Sequence, residues 1–75
     1  MTRYHFHIRE NGRLIRDEEG QEFQDREEVR KEAVETGASI ARDAFMSGSA
    51  KLVVEDVQRD QQSCLKVSIS LSVEE

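Results

Sequence analysis

The chain predicts an α+β fold: two β-hairpins joined by one long helix, in the order β-β-(β)-α-β-β, with the helix packed on one face of an antiparallel sheet. Three observations carry this. Apolar Tyr4, Phe6 and Ile8 alternate with Arg3, His5, His7 and Arg9 just ahead of Asn11-Gly12, the strongest short signal for a two-residue hairpin turn. Between Asp25 and Gly48 the apolar residues recur with helical period. Near the end, Leu65, Val67, Ile69, Leu71 and Val73 alternate without a break against Cys64, Lys66, Ser68, Ser70 and Ser72.

With Asn11-Gly12 as the turn, the first two strands pair so that Ile8 faces Ile15 and Arg9 faces Leu14. Tyr4, Phe6, Ile8 and Ile15 then share the core face, while His5, His7, Arg9, Leu14 and Arg16 form one outward surface. The same register sets Phe6 opposite Asp17, a poor place for a carboxylate, so the pairing is expected to break or bulge there. Asp17-Glu-Glu-Gly20 is a turn with Gly20 as its positive-φ residue, Gln21 to Phe23 offers a short third strand, and Phe23 returns to the core.

Asp25 followed by Glu28 has capping-box spacing, and Gly48 suits a left-handed C-terminal cap, bounding a helix of roughly 22 residues and about 33 Å. At 100° per residue Val29, Ala33, Val34, Gly37, Ile40, Ala41, Ala44 and Phe45 fall on one arc, with Lys31, Glu32, Glu35, Ser39, Arg42 and Asp43 opposite. Ala33, Gly37 and Ala41 form a line of small residues that permits close approach to the sheet. A strand from Lys51 to Val57 carries apolar side chains on both faces, the segment Gln58 to Ser63 turns the chain, and the last strand runs from Leu65 to Val73.

Residues 1–75 form a single domain, and a chain this short buries only about 60% of its unfolded surface, so a partner subunit is the expected source of added stability. Sixteen acidic against eleven basic residues give a net charge of -5, which disfavours general nucleic-acid binding. One cysteine, Cys64, excludes an internal disulfide, and with no signal-peptide-like start a cytoplasmic location is expected. No stretch is long or apolar enough to span a bilayer.

The stretches Tyr4-His-Phe-His-Ile-Arg9, Asn11-Gly12, Leu14-Ile-Arg-Asp-Glu-Glu-Gly20, Glu22-Phe23 and Asp25 to Ala33 together resemble a domain-of-unknown-function family of short proteins from rhizobia and related alphaproteobacteria. Leu65 to Val73 fits the end of that pattern. The resemblance implies a compact domain and brings no activity and no functional residues with it. Asp17-Glu-Glu-Gly20 and Asp25-Arg-Glu-Glu28 also give a looser likeness to the N-terminal domain of HicB-type antitoxins, although the chain lacks that motif's prolines. Likeness of architecture licenses no function.

Few residues carry chemistry. His5 and His7, two apart on one strand face, suit a metal but are too few to complete a site, and no Cys/His cluster elsewhere joins them. Arg3, Arg9, Arg13 and Arg16 make the hairpin basic, yet the interleaved aromatics belong to the core face, so nucleic acid is not the expected ligand. Cys64 and the alternating serines lack an activating base, and the chain offers no phosphate loop or cofactor fingerprint. No small-molecule substrate is identified.

Arg30 falls within the helix's apolar arc and needs a partner. Either it pairs with Asp17 as a structural ion pair, or its stem covers apolar surface while its head reaches water. The expected function is therefore a non-enzymatic protein-interaction module, most simply a homodimer formed through the open sheet face or the last strand's edge. The rivals are an antitoxin-like regulator binding a basic partner, and a nucleic-acid or metal-responsive binder using the His5/His7/Arg face.

Overall fold

The computed structural model describes residues 1–75 as β1 (Thr2–Glu10), β2 (Arg13–Ile15), β3 (Gln21–Phe23), α1 (Arg26–Ser47), β4 (Leu52–Arg59) and β5 (Gln62–Ser70). All strand pairs are antiparallel, in the order β2-β1-β4-β5, with β3 also paired to β1. Helix α1 lies across β4 and β5 and touches β3 at its start. No helix is long and apolar enough to cross a membrane.

The first hairpin adopts the expected register, Ile8 with Ile15 and Arg9 with Leu14, around Asn11 (φ 51°) and Gly12 (φ 77°). Both φ values are positive, as the twist-matched two-residue turn requires. Pairing then stops, and β3 resumes it two residues out of step, with Thr2 opposite Phe23 and Tyr4 opposite Gln21. Asp17 occupies the interval. Its carboxylate accepts the Phe6 N–H at 3.0 Å, standing in for the strand neighbour that Phe6 lacks on this edge.

Asp25 caps α1 through a hydrogen bond from the Glu28 N–H at 2.9 Å, and Gly48 (φ 77°) ends it in the left-handed conformation. The helix buries Val29, Ala33, Gly37, Ala41 and Ala44. This contact line is narrower than the apolar arc suggests, because it centres on the small residues and leaves Val34 48% exposed on the outer flank. Arg30 is exposed on that same flank, beside Glu27, Lys31 and Val34.

Two further expectations shift. Ile15 has its predicted register but is 41% exposed, since α1 packs on β3, β4 and β5 rather than over β2. The last strand runs from Gln62 to Ser70 instead of Leu65 to Val73. Its start moves back because Asp60 (φ 53°) and Gln61 (φ 66°) make a tight turn without glycine. Its end moves back because β4 begins at Leu52, opposite Ser70, so beyond the Leu71 N–H bond to the Lys51 carbonyl the ladder has no partner.

The core lies between sheet and helix in two clusters. Tyr4, Phe23, Val29, Ala33 and Val57 form one, with Phe23 edge-on to both Tyr4 and Phe6. Ile8, Ala41, Ala44, Ala50 and Val53 form the other. On β4, between Val57 of the first cluster and Val53 of the second, stands Glu55, with no exposed surface.

Candidate interaction surface

The face of the sheet away from α1 is built by strand alternation. It carries His5, His7 and Arg9 from β1, Val54, Asp56 and Gln58 from β4, and Lys66 and Ser68 from β5, with Leu14 and Arg16 alongside. The structure therefore brings His5, His7, Arg9, Leu14 and Arg16 together as one surface. Two shallow grooves cross it, one of about 730 Å³ around His5, Arg3 and Asp60, the other of about 320 Å³ around Arg9, Leu14, Val54 and Lys66. His7, Arg16 and Gln58 line both.

Asp17 organises this surface. Its carboxylate accepts from the Phe6 and Gly20 N–H groups, each at 3.0 Å; its carbonyl lies 2.9 Å from His5 Nδ1; its N–H donates to His7 Nδ1 at 3.1 Å. A carbonyl only accepts, so His5 carries a proton on Nδ1. His7 receives a bond at Nδ1, so its Nδ1 is bare and, in the neutral ring, Nε2 holds the proton. The two rings stack nearly parallel, centroids 6.2 Å apart and planes at 14°. Burial alone pushes the Asp17 carboxyl up, but the two N–H bonds and the nearby His5 and His7 outweigh it and hold the group below its ordinary value.

The turn that delivers Asp17 depends on Gly20 (φ 72°). A Cβ there would stand 2.8 Å from the Tyr4 carbonyl, so both conformation and space require glycine. On the neighbouring strand Asp56 accepts from Gln58 Nε2 at 2.9 Å and from the Ser63 hydroxyl. Burial pushes its carboxyl up as well, and the Ser63 and Gln58 bonds, with Lys66 and His7 nearby, bring it below the ordinary value.

Arg30 and Asp17 are not brought together. Asp17 has both carboxylate oxygens on backbone N–H groups, and Arg30 stands on the outer flank of α1. The two ion pairs of the chain are Arg3 with Glu22 and Arg59 with Asp60, both 3.9 Å and exposed. Joint ligation of a metal through both imidazole Nε2 atoms would require His7 to hold its proton on Nδ1, facing the Asp17 N–H, which costs the bond that orients the ring. Cys64 is half-buried, with Sγ 3.4 Å from the Val57 carbonyl.

The residue that sequence reasoning passed over is Glu55. Neither carboxylate oxygen has a hydrogen-bond partner. Gly37 lies over it, where a Cβ would approach Oε1 to 3.0 Å, so the glycine in the small-residue line makes room for the carboxyl. Burial first, and the charge of Glu32 second, push the Glu55 carboxyl up to about 7. The available signal was its parity with Val53 and Val57 on β4.

A family model for a domain of unknown function, DUF6894, matches residues 3–70. The chain belongs to that family. The DUF6894 match runs from Arg3, the second residue of β1, to the last residue of β5, taking in the helix, Asp17 and the grooved face, and leaving Met1, Thr2 and Leu71 to Glu75 outside. Neither curated proteins nor solved structures yield a match to the chain.

Proposed function

We propose that this DUF6894 chain is a non-enzymatic association module that pairs with a second copy of itself along the free edge of β5. The observation that carries this reading is a nine-residue strand bonded on one side only. Strand parity identifies its unpaired groups. Phe6 points its N–H away from β4, toward Asp17, so His7 faces β4; through the pairs His7–Asp56 and Glu55–Val67, the odd-numbered residues of β5 bond to β4. The Leu71 N–H bond to Lys51 continues that parity. The Lys66, Ser68 and Ser70 N–H groups therefore face outward.

The edge has little of the protection that keeps strands apart. It contains no proline and a single charged residue, Lys66, between Gln62 and Ser70. Leu65, Val67 and Ile69 point toward the helix layer yet remain half-buried. An antiparallel, two-fold pairing of two β5 strands joins the sheets, keeps both helices on one side and covers this apolar row. Stacking of two open faces is the weaker mode, because Arg9, Arg16 and Lys66 would meet their own kind.

Light scattering of wild-type protein beside the Ser68→Pro variant tests the reading. Proline removes an outward N–H and no bond to β4, so the variant is expected to keep the fold and lose the dimer. A wild type that stays at 8.6 kDa at all concentrations overturns it.

A further inference from the structure

The smaller groove of the open face holds three exposed cations, Arg9, Arg16 and Lys66, and none has a carboxylate within ion-pair distance. This is notable in a chain with sixteen acidic residues and a net charge of -5. The one carboxylate in the groove, Asp56, is engaged by Gln58 and Ser63. The floor is apolar: Leu14 and Val54 pair with Arg9 from either side, giving a cross-strand row of apolar, cationic and apolar side chains. In the next row His7 and Asp56 run to Lys66, with Arg16 beyond His7.

We infer that this groove docks an extended acidic segment of a partner protein, in which the side chains turned to the groove, every second one along the segment, are by turns apolar and carboxylate. The apolar residues sit on Leu14 and Val54, and the carboxylates meet Arg9, Arg16 and Lys66. An extended segment turns every second side chain to the same face, so an apolar-x-carboxylate-x-apolar order sets its groove-facing side chains against the apolar, cationic and apolar side chains of the row. Nucleic acid fits the same charges less well. The face has no Tyr, Phe or Trp on which a base can stack, since Tyr4, Phe6 and Phe23 lie on the helix side. The chain as a whole also repels a polyphosphate.

The groove is pre-formed. His7, which lines it, is oriented by the Asp17 N–H, and Asp56 is fixed by two hydrogen bonds, so an incoming segment orders few side chains. This inference stands apart from the homodimer, since pairing along β5 leaves the open face uncovered.

The test is a titration of the full chain into a fluorescein-labelled peptide Glu-Ser-Val-Ser-Glu-Ser-Val-Ser-Glu, with its Gln-for-Glu counterpart and a short oligothymidine as comparison probes. The acidic peptide is expected to bind at least about tenfold tighter than the glutamine peptide at low salt, and to weaken as salt rises. Amide shifts should gather at His7, Arg9, Leu14, Val54 and Lys66. The doubly substituted Arg9→Glu, Arg16→Glu protein should lose about tenfold or more with an unchanged thermal melt, and Leu14→Ser should weaken binding severalfold. Equal affinity for the two peptides, or an unaffected double variant, overturns the inference. Tighter binding of oligothymidine at the same residues overturns it in favour of nucleic acid. A wild type that binds the acidic peptide but never dimerises removes the homodimer reading and leaves this one standing.

Discussion

Replacing Glu55 by methionine should stabilise the protein at neutral and alkaline pH while leaving the fold intact. Glu55 is fully buried, its oxygens have no partner, and its carboxyl is pushed up to about 7 against 4.5 for an ordinary glutamate. Below about pH 4.5 both folded and unfolded chains hold the proton, and the group costs nothing through ionisation. Between there and about pH 7 the unfolded chain releases the proton while the folded chain keeps it, so stability falls as pH rises, by about 1.4 kcal/mol per pH unit. Above pH 7 the loss levels off at about 3 kcal/mol. That is a large share of the roughly 4–11 kcal/mol available to a chain of this length. Methionine fills a similar space with no charge to bury. Urea melts of wild type and Glu55→Met at fixed protein concentration, at pH 4.5 and pH 8, should show the variant's advantage growing by about 3 kcal/mol across that interval. An advantage that does not change with pH would refute the reasoning, because it would mean that Glu55 ionises as an ordinary surface glutamate.

Four further outcomes follow from the same contacts. Gly37→Ala alone should gain nothing or lose stability, because its Cβ meets Glu55 Oε1 at 3.0 Å; paired with Glu55→Ala it should recover up to about 1 kcal/mol of helix propensity, read by a double-mutant cycle of denaturant melts. Asp17→Ala strands the Phe6 and Gly20 N–H groups and should cost about 2 kcal/mol, the half-exposed setting softening the loss. Since the folded-state pKa values of Asp17 and Asp56 are both lowered, the stability they contribute is present above the ordinary aspartate range and is lost as pH falls through it toward their folded values; Asp17→Asn should flatten part of that acid limb in thermal melts. Long-range nitrogen NMR should find the neutral His5 ring protonated at Nδ1 and the neutral His7 ring at Nε2, and the reverse pattern would contradict the Asp17 hydrogen bonds.

Much of the fold was legible because local chemistry determines it. Asn11-Gly12, Gly20, Asp25 with Glu28, and Gly48 each meet a backbone demand that few other residues meet, and each stands where the pattern placed it. The break at Asp17 was legible too, since a carboxylate opposite Phe6 has no place among apolar side chains. What the carboxylate does there was not, because the bond to the Phe6 N–H depends on where β3 resumes its pairing. Asp60-Gln61 makes its turn without glycine, so the last strand was begun too late, at Leu65, and its alternation was carried on to Val73 because nothing in it marks where β4, which begins at Leu52, stops offering a partner. Arg30 and Val34 sit within the periodic arc, yet only the placement of α1 over β4 and β5 decides which edge of an arc is covered. Glu55 is the clearest case: a glutamate between Asp56 and Val54 reads as surface, and its burial follows from strand parity and from the space above it at Gly37.

Association through β5 is tested most directly by amide exchange at that edge. At a concentration where light scattering gives twice 8.6 kDa, the outward N–H groups of Lys66, Ser68 and Ser70 should exchange as slowly as those of Leu65, Val67 and Ile69, which bond to β4. On dilution to 8.6 kDa only the first set should become fast. Fast exchange of Lys66, Ser68 and Ser70 in a dimeric sample would place the interface elsewhere, and a mass of 8.6 kDa at every concentration would end the homodimer reading.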